Sequence, residues 1–101
     1  MKTVTLGSSE IAVTRLAYGC MRIAGAWDPK EVTAAHIEAG ERALAAAYDA
    51  GYTLFDHADI YSQGVCERIH RDFLKKSPSL RRQTVVATKC GIRFPGDPHP
   101  G

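Results

Sequence analysis

Three short apolar runs, alternating with two helical stretches and each followed by polar residues, constrain this chain more than any other feature. The runs are Leu16-Ala17-Tyr18, Thr53-Leu54-Phe55 and Thr84-Val85-Val86-Ala87-Thr88. The last two in particular are rich in β-branched and aromatic residues, which suit a pleated, half-buried surface. Residues 34–50 are Ala-rich, and Ile37, Leu44, Ala47 and Tyr48 fall near one face, so a helix is predicted there. Gly51 is its expected C-cap. Asp28-Pro29 with Glu31 reads as a helix start, with Pro in the first turn. A second helix is predicted over 65–75, with Cys66, Ile69 and Phe73 on one stripe and Pro78 beyond its end. Ahead of these elements, Gly7-Ser8-Ser9 joins two short runs into a predicted hairpin. From Cys90 onward Gly, Pro and Asp dominate, which predicts loop.

The order is hairpin, β, α, β, α, β. Strands that alternate with helices imply βαβ units and a parallel sheet. Each crossover is expected to be right-handed. Gly19-Cys20-Met21, the stretch from Asp56 to Tyr61, and Lys89-Cys90-Gly91 all follow strands. They should collect at the carboxyl edge of the sheet, where α/β proteins bind ligands.

Two of these stretches carry chemistry. Phe55-Asp56-His57-Ala58-Asp59-Ile60-Tyr61 sets an Asp and a Tyr just beyond one strand, and Thr88-Lys89 sets a Lys at the end of the next. An ammonium beside a phenol favours the phenolate and eases release of its proton. A nearby carboxylate keeps that ammonium charged and aimed. The pattern suggests acid catalysis at a carbonyl.

Bulk composition narrows the class. Hydrophobic residues make up 45% of the 101, enough for one small domain with a packed core. A net charge of +2 is too near neutral to imply a nucleic-acid partner. The pairs Lys75-Lys76 and Arg81-Arg82 read as solvated helix ends, where cations suit the helix dipole. Cys20, Cys66 and Cys90 are odd in number and widely spaced, which argues against a disulfide framework or structural zinc. Reduced thiols, no apolar leader at the N-terminus and no run of roughly 20 apolar residues lead us to expect a cytoplasmic protein without membrane contact.

On these motifs the chain resembles the start of an aldo-keto reductase. The hairpin segment Leu6-Gly7-Ser8-Ser9-Glu10-Ile11-Ala12-Val13-Thr14-Arg15-Leu16, the first-strand segment Gly19-Cys20-Met21, the Asp56…Tyr61 segment and Thr88-Lys89-Cys90-Gly91 match in order over nearly the whole chain. The version here is most similar to a group of bacterial oxidoreductases. The resemblance implies that residues 1–101 are the N-terminal part of a (β/α)8 TIM barrel: the closing hairpin, three parallel strands and two helices. It implies reduction of aldehydes and ketones with NADPH. Tyr61 would be the general acid, Lys89 its activator and Asp56 the partner of Lys89. Gly19, Cys20 and Met21, with Asp56, would line the nicotinamide and substrate mouth.

Two departures follow. Ser62 stands after Tyr61 where the family usually has Gly, a change expected to be tolerated in a loop. A full barrel takes about 250 residues, and the family's catalytic His, expected after a fourth strand, has no counterpart in His36, His57, His70 or His99. The isolated chain is therefore expected to be inactive. A cofactor-binding regulatory module with little turnover is the alternative, since some barrels of this family act that way.

Each residue also has a plainer reading. Asp56 alone could cap a loop, Tyr61 could pack half-buried, and Lys89 could be a solvated strand-end charge. His57, Asp59, Cys66 and His70 carry ligand atoms, but only Cys66 and His70, four apart on the second helix, share a clear geometry, so no metal is expected. Cys66 reads as a small core residue, His57 as a loop residue at the rim of the site, Asp59 as solvated, and Trp27 as a loop residue near the mouth.

Overall fold

The structure is a computed structural model that describes residues 1–97; His99 lies outside the described residues. The predicted hairpin forms from β1 (Thr3–Thr5) and β2 (Ala12–Thr14), antiparallel with Val4 opposite Val13. Gly7 sits in the turn at φ 57°, a left-handed conformation that glycine takes without steric cost. Thr14 N–H donates to Thr53 Oγ1 at 3.1 Å, and Thr53 N–H donates to Thr14 Oγ1 at 3.2 Å, which fastens the hairpin to the body.

The parallel sheet is β3 (Tyr18–Gly19), β4 (Leu54–Asp56) and β5 (Val85–Ala87), in that order. Tyr18 lies opposite Phe55 and Phe55 opposite Val86, while Gly19 lies opposite Asp56 and Asp56 opposite Ala87. Successive side chains point to opposite faces of a strand. Phe55 and the residues in its row therefore face the helices, and the Gly19–Asp56–Ala87 row faces the other side.

α1 (Ala34–Asp49) begins later than the Asp28-Pro29 signal suggests. Asp28 Oδ1 instead accepts from Lys30 N–H at 2.9 Å and caps a single 3-10 turn, Pro29–Glu31. Val32 is extended, which ends that turn. Thr33 then opens α1 with a capping box: Thr33 Oγ1 accepts from His36 N–H and His36 Nδ1 accepts from Thr33 N–H. Gly51, at φ 101°, ends α1 as expected, its N–H donating to Tyr48 O at 3.0 Å. Ile37 does not join the buried face; Gly40, Leu44 and Ala47 form it.

α2 (Val65–Lys76) buries Cys66, Ile69, His70 and Leu74. Beyond it Pro78 is not loop. It occupies the first turn of α3 (Pro78–Gln83), where its missing N–H leaves no intrahelical bond unmade. Between sheet and helices lies a core of Cys20, Ile23, Ala24, Leu44, Ala47, Phe55, Cys66 and Ile69. Tyr48 stacks between Phe55, at 4.4 Å between ring centroids, and Phe73, at 5.5 Å.

Candidate active site

Asp56 ends β4 on the face turned away from the helices, and Lys89 follows β5 on the same side. Lys89 Nζ donates to both Asp56 carboxylate oxygens at 3.1 Å and to His57 O at 2.8 Å. The parallel ladder continues past the strands, with His57 N–H on Ala87 O at 2.8 Å and Asp59 N–H on Lys89 O at 3.0 Å. These backbone bonds hold the two strand ends in register, so the ion pair rests on a rigid base. The Asp56 carboxylate, as the chief cause, raises the Lys89 ammonium above the usual lysine pKa. Both side chains remain accessible, at 53% for Lys89 and 43% for Asp56. A reacting group can therefore approach them.

Tyr61 opens a short turn, Tyr61–Gly64, and its ring lies under the ammonium, 5.3 Å from Nζ to the ring centroid. Asp56, Tyr61 and Lys89 thus converge at one sheet edge, the two charges 33 positions apart in sequence. Ala58, Asp59, Ile60, Tyr61, Lys89, Cys90 and Ile92 surround a small hollow of about 170 Å³.

The expected mouth residues divide. Gly19 lies beside Asp56 in the sheet, and a side chain added there would meet nothing within 4 Å, so the backbone presents an open shelf. Met21 is exposed. Cys20 is different: its N–H donates to Asp56 O at 2.9 Å, but its thiol is turned into the core on the helix side. Burial, with Cys66 and Asp56 nearby, pushes that thiol up to about 12.

His57 is not a rim residue. It follows Asp56 by one position, so the alternation of the strand turns it to the opposite face, where it is 1% exposed and hydrogen-bonded to His70. Asp59 is half-buried and Cys66 is buried in the core, while Trp27 lies exposed in a loop beside Met21. Ser62, the departure from the family pattern, is buried and donates to Ala26 O at 2.6 Å. No helix among the described residues is long and apolar enough to cross a membrane.

A hairpin leading into parallel βα units, with polar side chains gathered at their carboxyl ends, is the arrangement with which a (β/α)8 barrel of the reductase type begins. The chain belongs to the aldo/keto reductase family, whose sequence model matches residues 15–100. It is 33% identical over 99 residues to a probable aldo-keto reductase 1 of Glycine max, covering 97% of this chain and 27% of that protein. It is 36% identical over 94 residues to an NADH-specific methylglyoxal reductase of Escherichia coli, covering 91% of this chain and 27% of the relative. Among solved structures, the holo form of aldo-keto reductase AKR11C1 from Bacillus halodurans superposes with a TM-score of 0.72 at 30% identity, over 97% of this chain and 29% of that one. The glycerol dehydrogenase AKR11B4 of Gluconobacter oxydans gives 0.76 at 29% identity, over 94% of this chain and 27% of that one. The chain thus spans about a quarter of the length of these relatives and forms the first part of their barrel.

Proposed function

We propose that a protein carrying residues 1–101 within a complete aldo-keto reductase barrel reduces aldehydes or ketones to alcohols, with Tyr61 as general acid. The observation that supports this reading is the convergence of Lys89 on Asp56 and on the Tyr61 ring at one strand edge. In this reading Asp56 keeps Lys89 charged and aimed. The Lys89 ammonium favours the phenolate that Tyr61 leaves behind when it protonates the carbonyl oxygen. Gly19, Met21 and Asp56, with the backbone of Cys20, offer a surface on which a nicotinamide ring fits, because nothing obstructs the Gly19 shelf. A reduced nicotinamide dinucleotide, when bound, supplies the hydride. NADPH is the expected form; because one relative is NADH-specific by name, the assay compares the two.

The test is consumption of NADPH and NADH with an aromatic aldehyde by such a protein. Tyr61→Phe is expected to lower kcat by about 10²–10⁴-fold, the usual worth of general acid catalysis. A Tyr61→Phe variant with undiminished kcat would refute the role of Tyr61. Tight cofactor binding with no reduction of any carbonyl would instead favour a regulatory module. The 101-residue chain alone is expected to show no turnover.

A further inference from the structure

On the helix side of the sheet, opposite Asp56 and Lys89, three ligand-bearing side chains meet that no sequence spacing connects. Cys20 follows β3, His57 follows β4, and His70 belongs to α2. The thiol sulfur and one ring nitrogen of each histidine lie within 4.8 Å of one another. The residues are 0%, 1% and 2% exposed.

The hydrogen bonds fix which nitrogens are free. Thr84 Oγ1 donates to Leu80 O at 2.6 Å, so it accepts from the Tyr48 hydroxyl at 2.7 Å. With its proton so placed, the Tyr48 oxygen accepts from His70 Nε2–H at 2.9 Å. His70 Nδ1 is then a lone pair and accepts from His57 Nε2–H at 2.8 Å. That leaves His57 Nδ1 buried with no partner.

We propose that Cys20, His57 and His70 form a buried site for a soft monovalent cation, Cu(I). Thiolate and imidazole are the donors such an ion takes. Charge separates it from zinc. Cu(I) with one thiolate is neutral, whereas Zn(II) would leave a net positive charge in the core, which is costly. Zinc also takes a fourth ligand, and among the described residues the cluster ends at three. On binding, the Cys20 thiol gives up its proton to solvent and its sulfur bonds the ion. The proton on His57 Nε2 moves to Nδ1, and the ion takes the place it held between the two rings. Two nitrogens each about 2.0 Å from an ion stand roughly 3.5 Å apart in trigonal geometry, so the rings separate by less than 1 Å. His70 keeps Nε2–H on Tyr48, the outer support that orients a ligating histidine.

Both histidines line a groove of about 650 Å³ between α2, α3 and β5, a route from solvent. Arg71, Lys75, Arg81 and Arg82 also line it against the single carboxylate of Glu67, so the net positive lining repels a divalent ion harder than a monovalent one.

The test is anaerobic titration of the chain with Cu(I) against bicinchoninate, in a Cys90→Ser background that removes the exposed thiol. One equivalent is expected to be held, with a rise in Tm because binding favours the folded state. Copper-edge X-ray absorption should resolve one sulfur and two nitrogens. Cys20→Ser and His70→Gln, both near in shape to the native residues, should each weaken binding at least tenfold. Absence of stoichiometric binding, a donor set other than one sulfur and two nitrogens, full affinity in Cys20→Ser, or tighter Zn(II) than Cu(I) binding each overturns the proposal.

Discussion

Ser62 and Gly40 are single positions where the backbone sets the choice of side chain. Ser62 has φ 48° and ψ 40°, left-handed values that glycine takes freely and other residues rarely. Its hydroxyl bond to Ala26 O offsets that strain. We expect Ser62→Ala to lower stability by about 1–2 kcal/mol, because it keeps the strain and leaves the half-buried Ala26 carbonyl without its partner. Ser62→Gly should lose less, since it relieves the strain; chemical denaturation of both variants checks the order. Gly40 is buried where α1 crosses the loop after β3, and a Cβ there would collide with the Ile23 carbonyl. Gly40→Ala should therefore cost about 1–3 kcal/mol despite the better helix propensity of Ala. Asp56 and Lys89 were legible in sequence because each follows a clear apolar run. The inward turn of His57 was equally encoded, one step from Asp56 in a strand of period two, but a residue just past a strand end reads as loop.

At the level of elements, α2 shows what a sequence pattern conveys and what it leaves out. Its apolar stripe of Cys66, Ile69 and Phe73 announced a helix against the sheet. Nothing in the stripe announced that His70 would share the buried face, because its partners His57 and Tyr48 come from other elements. α3 was hidden for a related reason: at six residues it is too short for a periodic signal, and its Pro served equally as a terminator. The Thr33–His36 box escaped because His replaces the usual Glu or Gln at its third position. The buried histidine pair gives the metal-free fold a pH limit. Desolvation lowers the pKa of both; for His57, Glu67 and Asp56 oppose it and Lys89 adds to it, and for His70, His57 and Arg81 add to it. A group held below its unfolded pKa binds fewer protons when folded, so it destabilises as pH falls. Stability should be level above about pH 6.5. Below that it should decline towards pH 4, with a slope approaching about 1.4 kcal/mol per pH unit for each histidine. His70→Gln should flatten the decline, and urea melts across this range would measure it.

The whole molecule is a slab, 41 × 33 × 20 Å, with a radius of gyration of 14.5 Å. A compact domain of this length would have about 12.7 Å. Its accessible surface of 6638 Å² exceeds the roughly 5,600 Å² expected for a closed monomer of its mass. The excess reflects a sheet with both outer strands unpaired among the described residues, β3 on one side and β5 on the other. Leu16, two residues before β3, and Val86, within β5, lie exposed. Unpaired edges beside apolar surface invite association. Light scattering should show the mean mass of the 101-residue chain rising with concentration, and a strictly monomeric profile would contradict this. The βαβ order was readable from three apolar runs, but the slab shape was not, because pattern locates elements without saying how much of each face is covered. One peptide unit of β4 has a wider consequence. Asp56 and His57 are covalent neighbours on opposite sides of a wall one residue thick. Inserting or deleting one residue in that strand would exchange their sides, sending an acid among the aromatics and an imidazole to the open edge. The length of three residues, Leu54–Asp56, thus works as an address: it decides which chemistry stands indoors and which stands at the door.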